Sequence, residues 1–381
     1  MNYCKGVVIS GVNEMKISDQ CPIPEEPCST GAFIRPLIWS PCTSDAHLCA
    51  TGCASLPYLL GKAVGHEMCG EITKTGTDVK DFKAGDRVIV CSVMPMWRSL
   101  EAQDGFAKQH QDNMYSGTDF PDRGGSFVEE YYIRDADMNL TKIPEGVTLE
   151  QAVMVPDMMC TAFEGIEQLN AEFGASVAVI GIGPVGLTAV RAAVLRGAGN
   201  VFAVGSRKPC FEVAKEYGAT HLIDYHNEDY LEQIVKANGG PVDGVILCGR
   251  SEKEMSKGLS ILKKGGTLVN LSAYFGGSPI EIDPGVWGFG YGDKTIKGSG
   301  CRGGRLWMAR MAQLIATGRI APEKLITHRY HGMDKIPEAM ELFLNHDRTL
   351  IKPVIYIMQK KVCRKSGSFL KKYLDKYFAD G

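Results

Sequence analysis

The stretch VAVIGIGPVGLTAVRAAVLRG, residues 177–197, decides the fold. Its first residues, VAVI (177–180), form a short apolar run, and from Pro184 onward apolar residues recur at helical spacing. Between the two lies a GxGxxG: Gly181, Gly183 and Gly186, with Pro184 and Val185 ahead of the last glycine. After a strand and before a helix, these glycines have a mechanical reading. The first turns the chain, the second lets backbone approach a pyrophosphate, and the third allows the helix to pack closely on the strand. N–H groups at the helix start then bind phosphate.

The same texture continues outward. VFAVG (201–205), HLIDY (221–225), VDGVILCG (242–249) and TLVNLSAY (267–274) read as strands. KPCFEVAKEYG (208–218), EDYLEQIVKANG (228–239) and KEMSKGLSILKKGG (253–266) read as the helices between them. Strands alternating with helices of this length imply a doubly wound parallel sheet, and KTIKGS (294–299) offers a last strand. Upstream, VVIS, FIRPLIWS, GEITKTG, DRVIVCSV and SFVEEYYI are short strands separated by turns, so residues 1–160 form a β-rich domain with partly open barrel character. The expected organisation is α/β. The dinucleotide domain (161–299) is inserted between that first part and a return segment (300–358), and a basic extension (359–381) follows. In the extension, Phe369, Leu370, Tyr373, Leu374, Tyr377 and Phe378 share one face of a helix that Ser368 would cap.

At the end of the second strand, an NAD site places a carboxylate on the adenosine ribose. This chain has Gly205, Ser206, Arg207 and Lys208 there. Serine hydroxyl and guanidinium donate to a 2′-phosphate that a carboxylate would repel, so the reading is NADP, with Tyr225 over the same pocket.

A second pattern lies upstream: Cys42, Thr43, Ser44, Asp45, Ala46 and His47, then Gly65-His66-Glu67, then Pro156-Asp157. Catalytic zinc takes about three Cys, His or carboxylate ligands and keeps one position open. Taken singly, Cys42 also reads as a buried thiol, His66 as a core histidine and Asp157 as a helix cap. Their joint occurrence with a dinucleotide fingerprint favours the metal.

GHEMCGEITKTGTDVKDFKAGDRV (65–88) resembles the signature of zinc-containing medium-chain dehydrogenases. PCTSDAH, PDMMCTAFEG, VIGIGPVGL, AVGSRK and LIKPV are similar to the NADP-dependent secondary alcohol dehydrogenases of anaerobic bacteria and protists, over residues 5–358. The resemblance implies a GroES-like catalytic domain beside the Rossmann domain. It implies zinc held by Cys42, His66 and Asp157, with Glu67 able to join the shell. Ser44 and His47 then match a proton relay, Thr43 a neighbour of the cofactor, and Asp45 a residue that fixes the loop. A homotetramer is implied as well.

Two departures touch the substrate pocket. Thr118 and Gly300 fall where relatives carry tryptophan and leucine, with Ser92, Val93, Tyr274 and Cys301 as the remaining lining. Lost side chains leave a void that proteins rarely keep empty, so the expected substrate is a secondary alcohol bulkier than propan-2-ol. A third departure is the lobe at 91–117, which holds one cysteine and implies no structural zinc.

A net charge of −2 excludes a field that gathers nucleic acid or an anionic membrane. No stretch reaches the roughly 18–20 apolar residues of a membrane span. Thirteen cysteines without a CxxC pair, and an N-terminus unlike an export signal, point to a cytoplasmic home. The alternatives are an NAD(P)-dependent polyol or hydroxysteroid dehydrogenase on the same fold, the polyol reading favouring NAD and a more polar pocket, and a non-catalytic NADP-binding scaffold. Metal analysis with activity before and after chelation separates them: a zinc-free chain indifferent to chelator would defeat the enzyme reading.

Overall fold

The computed structural model describes residues 2–107, 111–112, 124–227, 229–249, 253–274 and 279–357. Thr118 and the 359–381 extension lie outside them.

The chain opens as an antiparallel hairpin, β1 (Asn2–Gly11) with β2 (Glu14–Ile23), turned through Asn13 at a φ of 55°. It continues through β3 (Ala32–Trp39), helix α1 (Thr43–Ala50), β4 (Met68–Thr75), β5 (Arg87–Val90) and the short β6 (Met94–Pro95). Helix α2 (Leu100–Gln103), β7 (Gln111–Asp112), β8 (Tyr131–Ile133), α3 (Ala136–Asn139), β9 (Leu140–Lys142) and α4 (Leu149–Ala152) follow. Of SFVEEYYI only the last three residues join a strand.

A single π-helical turn, Val155–Met159, leads into α5 (Cys160–Leu169). From there strand and helix alternate: β10 (Ser176–Ile180), α6 (Pro184–Arg196), β11 (Asn200–Gly205), α7 (Lys208–Glu216), β12 (His221–Asp224) and α8 (Tyr230–Asn238). Next come β13 (Val242–Leu247), α9 (Lys253–Ser260), β14 (Leu262–Asn270) and β15 (Thr295–Gly298). These six strands form one parallel sheet in the order β12-β11-β10-β13-β14-β15. That order has its reversal beside β10, where a doubly wound sheet binds its ligand.

One boundary differs from expectation. The helix read over 253–266 stops at Ser260, and Leu262 already pairs with Val242. Gly265 at a φ of 72° and Gly266 beside it cannot continue a helix, and the ladder absorbs them as an irregularity before Thr267.

After α10 (Arg305–Ala316) the chain returns to the first sheet. Strand β16 (Ile326–His331), helix α11 (Ile336–Leu344) and β17 (Lys352–Tyr356) extend it to seven strands, with β17 between β16 and β3. Both faces of the parallel sheet are covered, as its unbroken apolar strands require. Val177 and Val179 face the larger core with Leu187 and Val190 of α6. Ala178 and Ile180 face the other side with Ile234 of α8 and Leu259 of α9. Among the described residues no helix is long and apolar enough to cross a membrane.

Candidate functional site

Cys42 stands at the N-cap of α1, and His66 and Glu67 directly precede β4. Asp157 is carried by the π-helical turn, a local widening that recurs at functional positions. These segments meet so that one ligand atom from each of Cys42, His66, Glu67 and Asp157 lies within 4.8 Å of the others. His66 Nε2 is 3.6 Å from Asp157 Oδ2 and 3.7 Å from Glu67 Oε1, and Cys42 Sγ is 3.9 Å from Asp157 Oδ2. Donors bonded to one zinc at about 2.0–2.3 Å stand roughly 3–4 Å apart, so the spacing fits. Thiolate, imidazole and carboxylate are also zinc's ligand types. Glu67 Oε2 is buried without a hydrogen-bond partner among the described residues, an atom that a cation would satisfy.

The surrounding residues hold this set in place. Asp45, fully buried, accepts the Cys42 N–H at 3.0 Å through Oδ2 and places Oδ1 3.2 Å from His66 Nδ1. The carboxylate thus orients the imidazole so that Nε2 faces the cluster. Thr161 Oγ1 donates to Asp157 Oδ1 at 2.8 Å. Lys352, fully buried on β17, donates from Nζ to Glu67 Oε1 at 2.6 Å. Burial pushes the Glu67 carboxyl above its ordinary range, against the opposing pull of the Lys352 ammonium. Burial also works against ionised Asp157, but its contacts with His66 prevail and hold it below the usual carboxylate range.

The second half of the site is a cleft of about 370 Å³ over the β10 end of the parallel sheet. Thr43, the first residue of α1, lines it, so adjacent residues of one helix start reach the ligand cluster and the cleft. Gly181, Gly183, Pro184, Gly205, Ser206, Arg207 and Tyr225 line it as well. A Cβ on Gly183 would meet nothing nearer than Arg207 Nη2 at 3.8 Å, which leaves the space a pyrophosphate needs. A Cβ on Gly186 would strike Gly181 O at 2.1 Å, so the third glycine serves packing. Val185, Gly186 and Lys208 do not line the cleft: the first two turn into α6, and exposed Lys208 starts α7. Ser206 Oγ donates to Tyr225 Oη at 3.0 Å. Arg207 donates to the Leu350 carbonyl, and Arg348 Nη2 donates to the Ser206 carbonyl at 2.9 Å. Each guanidinium keeps further N–H groups for a phosphate.

Ser44 and His47, half-buried on α1, stand three residues apart on one helix face. Ser92 and Val93 follow β5 and are 2% and 4% exposed. Half-buried Tyr274 donates to Asn270 Oδ1 at 3.3 Å, and Cys301 Sγ donates to the Pro156 carbonyl at 3.2 Å. A Cβ on Gly300 would meet nothing within 4 Å.

Thr161, Arg348 and Lys352 stand at the site without having been assigned to it from the sequence. Lys352 had a signal, a lone charge inside the apolar run LIKPVIYI. Arg348 had none, because only the return of the chain brings it to the cleft.

The chain is similar to known dehydrogenases. A zinc-binding dehydrogenase model matches residues 184–317, and an alcohol dehydrogenase GroES-like domain model matches 30–145. An NADP-dependent isopropanol dehydrogenase of Clostridium beijerinckii is 42% identical over 93% of this chain and 100% of its own. That of Thermoanaerobacter brockii is 43% identical over 86% of this chain and 92% of its own. That of Entamoeba histolytica is 40% identical over 93% and 96%. The solved alcohol dehydrogenase from Thermus sp. ATN1 superposes with a TM-score of 0.79 at 24% identity, covering 93% of this chain and all of that one.

Proposed function

Because the chain belongs to the zinc-binding alcohol dehydrogenases, in the branch of the NADP-dependent isopropanol dehydrogenases, we propose that it interconverts a secondary alcohol and its ketone with NADP(H) and one catalytic zinc. The convergence of Cys42, His66 and Asp157 on one point, beside a cleft that Thr43 shares, carries this reading.

Cys42, His66 and Asp157 would hold the zinc, with Glu67 able to join the shell when the open site is empty. When bound, zinc polarises the substrate oxygen and lowers its pKa, and NADP exchanges hydride with the reacting carbon. The Ser44 hydroxyl receives the alcohol proton, and His47, one helical turn on, passes it to solvent. Asp45 keeps His66 in one tautomer and orientation. Ser206, Arg207, Tyr225 and Arg348 bind the adenosine 2′-phosphate, while the chain turn at Gly181–Pro184 receives the pyrophosphate.

The open space at Gly300 favours a substrate larger than propan-2-ol. The lobe at 91–117 holds too few thiols for a structural metal, so one zinc per chain is expected, in a homotetramer. Each described cysteine is free, which suits a reducing cytoplasm.

The decisive experiment is a panel of ketones and alcohols with NADPH and NADH in parallel, repeated after chelation and zinc return. Turnover indifferent to chelator would overturn the zinc reading, and a clear preference for acetone would overturn the larger substrate.

A further inference from the structure

The segment that closes the cleft also leads to the ligand cluster. At its start Arg348 Nη2 donates to the Ser206 carbonyl at 2.9 Å, and the Leu350 carbonyl accepts from Arg207. Two residues on, Lys352 Nζ donates to Glu67 Oε1 at 2.6 Å. The Pro353 carbonyl then accepts from Ser40 Oγ at 2.9 Å, and Ser40 gives its own N–H to the Glu67 carbonyl at 3.1 Å. One stretch, buried from Leu350 to Ile355, therefore runs from the Ser206 corner of the cleft to both the side chain and the backbone of Glu67. Arg207 is the joint at its near end. Its guanidinium lines the cleft and also holds the Leu350 carbonyl, and Arg348 returns the contact by gripping Ser206. A dianionic phosphate there would tie both guanidinia with charge-assisted bonds. Because each guanidinium is already bonded between residues 206–207 and 348–350, the phosphate would also fix the start of β17. The Lys352 ammonium would then be held on Glu67.

Resting on the function proposed above, we propose that Arg207 is a positioning residue for the metal cluster as well as a phosphate ligand. Through the Leu350 carbonyl and Lys352, a 2′-phosphate at the cleft corner tightens the binding of zinc. Hydrogen-bond networks and rigid strands carry coupling of this kind between two sites. Once the phosphate has ordered the segment, zinc no longer meets the cost of ordering it, so each ligand favours the other. A nucleotide without the 2′-phosphate leaves the two arginines free of that tie and gives no such gain.

The test uses zinc-loaded protein and two nucleotides that differ only by the 2′-phosphate, adenosine 2′,5′-bisphosphate and adenosine 5′-monophosphate. Neither carries the nicotinamide half of the cofactor, and the readout is zinc affinity rather than turnover. In competition with a chromogenic chelator, saturating bisphosphate is expected to raise zinc affinity about fivefold or more, and the monophosphate to leave it unchanged. Arg207→Lys keeps a cation for the phosphate but loses the planar fork that serves phosphate and carbonyl together. It should bind the bisphosphate more weakly and, even at saturation, lose the effect on zinc. Should that variant not fold, the wild-type comparison of the two nucleotides decides alone. Bisphosphate that binds without changing zinc affinity overturns the coupling and leaves the proposed reaction standing. An equal gain from both nucleotides, or an undiminished gain in Arg207→Lys, also overturns it. A protein that fails to bind zinc or the bisphosphate overturns the proposed function, and the coupling with it.

Discussion

Asp45 Oδ1 lies 3.2 Å from His66 Nδ1 in a pair with almost no solvent exposure, and the same carboxylate receives the Cys42 N–H. One side chain thus aligns two of the proposed metal ligands. Asp45→Asn should keep the fold but weaken zinc binding about 10–100-fold, as measured by competition with a chromogenic chelator. An affinity equal to wild type would show that Asp45 serves only the start of α1.

The Lys352–Glu67 pair is buried on both sides. Lys352→Met leaves an uncompensated carboxylate in the interior and should cost about 3–5 kcal/mol in urea denaturation. Adding Glu67→Gln should recover a large share of the loss. Two costs that simply add would indicate that the partners act independently.

Arg207 and Arg348 both line the cleft beside Ser206, whose carbonyl accepts from Arg348. Replacing either with alanine removes a charge-assisted contact and should raise KM for NADPH about tenfold or more, with KM for NADH little changed. Equal losses for both cofactors would place these arginines elsewhere than on the 2′-phosphate.

Gly300 lies outside the left-handed region of backbone space and has room for a side chain, so Gly300→Leu should be accepted without strain. It should lower kcat/KM for bulky ketones and raise it for acetone. Proportional loss across the series would mean that the open space does not receive substrate.

Arg329 grips Glu150 with two nitrogens, at 2.7 and 2.9 Å, and Tyr356 donates to the same carboxylate. The Arg329 bond, opposed by partial burial and aided by Tyr356, holds Glu150 below the usual carboxylate range. A depressed folded pKa gives stability that is complete above the unfolded value, about 4.3, and fades as pH falls through the lower folded value. Because the arginine is half exposed, Glu150→Gln should cost only about 0.5–1 kcal/mol at pH 7. Thermal melts of the two proteins should converge toward pH 3; a gap that persists there would rule out the ionic origin.

Local signals carried much of the architecture. The run from Val177 to Gly197 contains its strand, its turn and its helix in one window, so periodicity and glycine spacing sufficed to place β10 and α6. The end of α9 was misplaced because ILKK continues the helical spacing, and only pairing of Leu262 with Val242 reveals the strand. The cluster of residues 42, 66, 67 and 157 was readable from residue type and resemblance, since zinc chemistry restricts which side chains serve. Their supports were harder to see. Thr161 is an ordinary helix residue until the π-helical turn brings Asp157 to it, and Arg348 meets the cleft only through tertiary return.

That return sets the order in which the molecule completes itself. Strand β17 enters between β16 and β3, and its Lys352 meets a carboxylate 285 residues earlier in the chain. During synthesis from the N-terminus, Glu67 therefore waits through nearly the whole of translation for its counter-charge. The four proposed ligands have all emerged once Asp157 is made, yet the wall behind them stays missing until β17 docks. The pocket proposed for zinc is thus complete only in a chain whose last strand is in place.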